Sequence, residues 1–390
     1  MKHHWRHCKF GRMLKTVALC LGGASVLTGC AMVNPYYDAT KKHHTPTGFI
    51  NNYPVADVAS IGKIIKWQTT KFFSGGTPKP AEFLEGYSGF PVVKPDLVEI
   101  KKNCSDASLK KIGRCQNISI TWIGHATALV QIGGLNVLTD PMFSQRSSIT
   151  QWFGPKRKVK LPVLLDELPR IDLVVISHNH YDHLDVSTIK ALESQPGGPP
   201  LFAVPLGVDL WMKDVGATRV ERFDWWDTKT LLGLDIHFLP SQHWSSRSLT
   251  DRNATLWGSW LLKEKNALQE PAAPIARGKS LFFAGDTGYS KDFAEIGRRL
   301  GPVDFALIPV GAYEPRSLMQ DQHVNPDESV QIHRDIGAKL SIGIHWGTFE
   351  LTDEPLDQPI GDLTKALAKF NVPSNDFLLF KHGQTTFYKY

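Results

Sequence analysis

Ser177-His178-Asn179-His180-Tyr181-Asp182-His183-Leu184 sets four potential metal ligands within six residues. It follows an apolar, β-branched run, Ile171 to Ile176, that is short enough to be a buried strand. Imidazoles two residues apart leave a strand on one side and can seize one cation, so His178 and His180 form a first pair. The tight turn after them can aim Asp182 and His183 at a second cation close by. The bland alternative is a polar loop whose histidines only cap a strand and a helix, and the density of ligand types weighs against it.

Two cations need more ligands than one loop supplies. Three further apolar runs each end in a candidate: His243 after Ile236 to Pro240, Asp286 after Ser280 to Gly285, and His345 after Leu340 to Ile344. Singly, each would more often be a cap or a core residue; as a series they extend the first motif. Two cations lower the pKa of water from 15.7 to about 7 and so make hydroxide, here one bridging both metals, available as a nucleophile. Asp140, at the end of another strand, is either a carboxylate bonding a ligand histidine from behind or a turn cap.

These residues must be positioned by sheets. Ile118 to Gly124, Ala128 to Ile132 and Leu135 to Thr139 read as an antiparallel meander turning at Gly133-Gly134. Helices are expected over 186–193, 206–214, 291–300, 326–336 and 362–370. Strands are expected over 201–204, 235–239, 256–263, 282–284 and 305–309, with 377–380 closing the sheet. Residues 81–116 read as a loop, and 55–73 as a helix.

Five basic residues, Lys2, Arg6, Lys9, Arg12 and Lys15, precede an apolar run from Val17 to Leu27, the layout of a secretory signal over 1–29. The run is too short to span a bilayer stably. Leu27-Thr28-Gly29-Cys30 resembles the lipobox of bacterial lipoproteins. That resemblance implies a lipidated Cys30, a membrane-anchored tether with a helical segment over 30–80 ahead of the main domain over 81–390 and, with Ala31 following, an outer-membrane location facing the periplasm. Without the signal the net charge falls from +6 to +1, and no basic cluster with interleaved aromatics remains, so a nucleic-acid partner is not expected. Cys104 and Cys115 then read as a disulfide suited to an oxidising compartment, with free thiols as the alternative. His43 and His44 read as solvated linker.

The motif series resembles the metallo-β-lactamase superfamily. The words Gly124-His125-Ala126-Thr127, Gly154-Pro155-Lys156-Arg157, Asp224-Trp225-Trp226 and His345-Trp346-Gly347-Thr348-Phe349 resemble its N-acyl-phosphatidylethanolamine-hydrolysing phospholipase D branch. The resemblance implies an α/β fold, a four-layer αβ/βα sandwich of two mixed β-sheets flanked by helices. It implies one zinc on His178, His180 and His243 and a second on Asp182, His183 and His345, with Asp286 shared. It further implies that His323, in Gln322-His323-Val324-Asn325-Pro326, binds phosphate and assists the leaving group. Gln151 matches a substrate-contacting position, and Trp152 stands where animal members carry tyrosine. Trp152, Trp211, Trp225, Trp226 and Trp244 are candidate walls of a lipid groove, against the commoner role of core aromatics. The expected function is zinc-dependent hydrolysis of a phospholipid. Hydrolysis of a lactone, lactam or small phosphodiester is the second reading, and a non-catalytic metal-bound lipoprotein the third.

Overall fold

The computed structural model describes residues 33–54, 66–67, 69–70, 92–265 and 278–390. Cys30, the signal segment and most of the helix expected over 55–73 lie outside the described residues. A short hairpin, β1 (His44–Thr45) and β2 (Gly48–Phe49), comes first, then helices α1 (Leu97–Asn103) and α2 (Ala107–Lys111). The meander forms as β3 (Ile118–Gly124), β4 (Thr127–Ile132) and β5 (Leu135–Thr139). Then follow β6 (Leu173–Val175), α3 (Val186–Glu193), β7 (Leu201–Pro205), α4 (Val208–Asp214) and β8 (Val220–Phe223). The second half comprises β9 (Thr228–Leu231), β10 (Leu234–Leu239), β11 (Ser259–Glu264), β12 (Ser280–Phe283), α5 (Asp292–Leu300) and β13 (Phe305–Pro309). It ends with α6 (Arg316–Met319), α7 (Pro326–Asp335), β14 (Leu340–Ile344), α8 (Gln358–Phe370), β15 (Phe377–Leu379) and β16 (Thr385–Tyr388).

The strands make two sheets of seven, in orders β16-β3-β4-β5-β6-β7-β8 and β15-β14-β13-β12-β11-β10-β9. In the first, β5 to β8 are parallel; in the second, β12 to β15 are. The remaining neighbours pair antiparallel. Strand alternation shows why the sheets stack. Leu173 and Val175 join a core that also holds Phe238, Trp260 and Phe282 of the second sheet, whereas Val174 faces the other way and packs with Ile189 of α3 and Met212 of α4. Helices α5, α7 and α8 cover the second sheet through Phe293, Val330 and Leu363. The result is the expected four-layer α/β sandwich.

Several local expectations are corrected. The stretch from 97 to 111 is helical because Asp96 and Asp106 cap two short amphipathic turns, accepting from Val98 and Glu99 and from Ser108 and Leu109. Residues 377–379 close the second sheet as expected, and a further strand not foreseen, β16, crosses to the first sheet and pairs with β3. Helix α8 starts four residues early, with Pro359 inside its first turn where the missing N–H costs nothing. His43 and His44 are buried, not solvated: both hold the Asp224 carboxylate, at 2.7 and 3.0 Å, beside Lys41.

Cys104 and Cys115 are joined in a disulfide, both nearly fully buried. Replacing both by serine should lower stability by up to about 3 kcal/mol in the chain-entropy picture. The check is the denaturant midpoint of the oxidised protein against the double variant; coincident midpoints would show the bond to be idle.

Candidate metal centre

His323 apart, every element that delivers a polar side chain to the centre is a strand running the same way within its sheet, and the side chain follows the strand's carboxyl end. His125 follows β3, Asp140 follows β5, and His178 to His183 follow β6. From the second sheet His243 follows β10, Asp286 follows β12 and His345 follows β14. Carboxyl ends of strands in open α/β sheets are where ligands bind, because the chain there leaves the ladder and exposes its side chains.

The seven expected side chains come together in two overlapping groups. His178 Nε2 lies 2.8 Å from His180 Nδ1, and His243 Nε2 lies 3.3 Å from the same Nδ1. Asp182, His183 and His345 form the second group, with His183 Nε2 3.3 Å from His345 Nε2 and 3.4 Å from Asp182 Oδ2. Asp286 stands between the groups: its oxygens lie 3.1 Å from His183 Nε2, 3.1 Å from His345 Nε2 and 3.9 Å from His243 Nε2.

Partners on the far side of three of the rings show which of their atoms face inward. His183 Nδ1 lies 2.6 Å from Asp140 Oδ2, and a carboxylate only accepts, so Nδ1 carries the proton and Nε2 presents a lone pair. Ser177 gives its hydroxyl proton to Asp140 and accepts from His178 Nδ1 at 2.8 Å, which frees His178 Nε2. His243 Nδ1 donates to the Gln322 carbonyl at 2.9 Å, freeing its Nε2. Asp140 therefore orients one histidine from each group, and its role as a carboxylate behind the ligands prevails over that of a turn cap. The Asp286 Oδ1 and His180 Nε2 atoms are buried without a hydrogen-bond partner.

Electrostatics point the same way. Burial drives His178 well below the usual imidazole range, with help from the charges on His183 and His180, and brings His180 down to about 4. Burial would raise Asp182 and Asp286, but His183 and the surrounding histidines hold both well below the carboxylate range. Burial likewise opposes charge on His183 and His345, yet Asp286 and its neighbours raise His183 well above its ordinary value and His345 to about 9. The two carboxylates demand positive charge: in the metal-free chain protons on His183 and His345 supply it, and a metal cation held by the same imidazoles and carboxylates would supply it in their place. The residues present fit such an ion.

Around this centre, His125 is a member the motif reading gave no role. Its Nε2 donates to Asp182 Oδ2 at 2.8 Å, and its carbonyl accepts from the His345 N–H at 2.9 Å. The signal was there, since Gly124-His125 also ends an apolar strand. Arg247 clamps the metal loop by donating to the carbonyls of Asn179 and Leu184, at 2.7 and 2.8 Å. His323 lies against the centre, its unpartnered Nδ1 3.8 Å from Asp286 Oδ2, and burial lowers it to about 4. The Gln322 side chain turns toward Leu318 and Met319, so its carbonyl is what reaches the site. Gln151 spends its amide on Arg146 of its own loop, and Trp152 stands 91% exposed beside it; neither joins the cluster. Trp225 is core, whereas Trp244 packs edge-on to His180 with ring centroids 4.3 Å apart. Trp211 and Trp226 are half-buried beneath Arg247 and Arg299.

A family model described as "Beta-lactamase superfamily domain" matches residues 135–346, more than half of the chain, and the chain belongs to that superfamily. It is accordingly a metal-dependent hydrolase. Within the superfamily it is 40% identical over 276 residues to an N-acyl-phosphatidylethanolamine-hydrolyzing phospholipase D of Caenorhabditis elegans, covering 68% of this chain and 74% of that one. It is 38% identical over 245 residues to a mitochondrial protein of the same name from Saccharomyces cerevisiae, covering 61% of this chain but only 49% of the yeast one. Among solved structures, an isothiocyanate hydrolase from Delia radicum gut bacteria superposes with a TM-score of 0.53 at 18% identity, over 70% of this chain and all of that one, a likeness of fold alone. The expected bacterial outer-membrane location is corrected by these relatives, which include a nematode enzyme and a yeast protein whose name places it in mitochondria. Among the described residues no helix is long and apolar enough to cross a membrane.

Asp140→Asn keeps the shape of the residue but removes the charge behind His183 and the acceptor behind Ser177. Metal affinity should fall by about 10- to 100-fold, as for other partners of ligand histidines. Chelator competition on the loaded protein checks this, and an affinity equal to that of the parent would show that Asp140 does not orient the ligands.

Proposed function

We propose that this chain hydrolyses the phosphodiester of N-acyl-phosphatidylethanolamine or a related phospholipid, in the manner of a phospholipase D, with two zinc ions on the seven clustered side chains. The observation that carries the reading is Asp286, a buried carboxylate placed between two groups of candidate ligands, where it would serve a pair of cations. Five imidazoles with carboxylates favour zinc over the oxygen-seeking metals. Bound there, the pair supplies an acidified water and positive charge against phosphate oxygens.

The remaining work falls to the chain itself. Asp182, fixed by His125, is a ligand of the second group, and Asp286 holds both groups in register. His323 Nδ1 faces the space beside Asp286 and is the group that meets the leaving oxygen. Its burial favours the neutral ring, and an anionic phosphodiester alongside reverses that preference, which lets it carry a proton to the departing alcohol. Two loops flank the metal loop. One is tied to it by Ser144 on Asp185, the other by Arg247. Their tips show Ile149, Trp152, Phe153 and Leu249 at 77% exposure or more, the kind of apolar surface against which acyl chains can lie. The names of the nematode and yeast relatives support the same substrate class.

Metal analysis of purified protein, coupled to assays on phosphatidylethanolamine, its N-acyl derivatives, lactones and bis-aryl phosphates, tests the reading. Two equivalents of zinc and turnover of the N-acyl lipid are expected; turnover confined to lactones or water-soluble diesters would replace it with the second reading. Asp182→Asn should abolish turnover by at least 100-fold with the circular dichroism spectrum unchanged, the scale on which removing one strong electrostatic contributor acts. His323→Ala should slow diesters with poor leaving groups by about 10²- to 10⁴-fold, and good ones far less. Equal losses on both would exclude proton donation by this residue.

A further inference from the structure

Residues 33–54 precede the segment matched by the superfamily model, yet they end against the metal centre. They form a strap laid across the domain. Asn34 closes its β1/β2 hairpin by donating to the Thr45 and Gly48 carbonyls, at 3.2 and 2.9 Å. Tyr36 bonds Asp209 at 2.7 Å, Lys41, His43 and His44 converge on Asp224, and Phe49 is 1% exposed in the central core. The Phe49 N–H donates to the Asn253 carbonyl at 2.9 Å, and two residues later the strap reaches His243.

There Asn51 makes a two-point contact. Its Nδ2 donates to the His243 carbonyl at 3.0 Å, and its Oδ1 accepts from the His243 N–H at 3.1 Å. The same Oδ1 accepts from the buried Trp257 indole at 3.1 Å, which fixes the amide's orientation. A carboxamide carries one donor and one acceptor side by side in a plane, which suits it to engage both main-chain groups of one residue. With the His243 ring held by the Gln322 carbonyl at Nδ1, the strap sets the peptide planes from which that ring projects. The preceding residue, Gln242, is tied instead to the Asp286 loop through Thr287 and Gly288. The Asn51 contact is therefore the strap's own contribution.

We propose that Asn51 is a positioning residue that aims the His243 imidazole, so that the strap, although outside the matched domain, sets the affinity of the cation site made by His178, His180 and His243. This rests on the reading of those residues as ligands. The site of Asp182, His183 and His345 takes nothing from Asn51, and the two sites should respond differently.

The test uses the full chain, stripped of metal and titrated with Co²⁺ and Zn²⁺ in competition with a chelator, for the parent and for Asn51→Ala, Asn51→Asp and Tyr36→Phe. In Asn51→Ala one of the two dissociation constants should rise by about 10- to 100-fold, while the other moves less than about twofold and the cobalt absorption bands of one site shift. Asn51→Asp retains the acceptor and loses the donor, so it should fall between parent and alanine variant; it also serves if the alanine variant fails to fold. Tyr36→Phe loosens the strap far from His243 and should lower the melting temperature with both constants intact. Parent-like constants and bands in both Asn51 variants, or an equal weakening of both sites matched by Tyr36→Phe, would overturn the proposal. A parent chain that takes up no cation would instead sink the ligand reading, and the inference with it.

Discussion

Imidazole lone pairs that converge with no proton between them repel, and burial removes the water that would relieve them. His178 Nε2 and His243 Nε2 turn their lone pairs inward, both toward His180 Nδ1, because protons on their opposite nitrogens are claimed by Ser177 and the Gln322 carbonyl. The source of much of that order is Asp140, a fully buried carboxylate that accepts from the Ser177 N–H and hydroxyl and from His183. One buried charge thus organises rings in both ligand groups. Removing it would leave the rings free to choose tautomers that turn protons inward.

The fold serves this arrangement by strand direction. Parallel neighbours β5 and β6 end together, as do β12 and β14 around β13, so their last side chains emerge on one edge. β3 and β10 reach that edge by an even number of reversals within their antiparallel halves. Ligands scattered along the sequence are therefore neighbours without any long loop having to carry them. Backbone at these exits is bent out of the ladder: His125, Asp140 and His345 all have positive φ, in a region side chains enter at a cost.

Legibility followed the range of the interaction. His178 to His183 and the apolar runs before His243, Asp286 and His345 are local patterns, and a strand that ends in a ligand announces itself within eight residues. The helices expected over 186–193 and 326–336 form over Val186–Glu193 and Pro326–Asp335, the second closed at its start by an Asn325/Glu328 capping box. Contacts that depend on distant partners were not legible. Nothing near His43 and His44 reveals Asp224, some 180 residues away, and the polar spacing that reads as linker is the spacing of a buried ion cluster. β8 and β9 carry Glu, Arg, Lys and Thr on half-covered edge strands, so neither shows the apolar run of a central strand. Asn51 belongs with these, since only its partner 192 residues on gives it meaning.

Each ligand group draws from both halves of the sandwich: His178 and His180 from the first sheet with His243 from the second, and Asp182 and His183 from the first with His345 from the second. An ion held by either group is consequently a rivet through the join between the halves, and its binding energy is also cohesion between them. Starvation for metal would therefore do more than silence the hydrolase. It would remove a tie between the two sheets at the edge where the seven side chains meet.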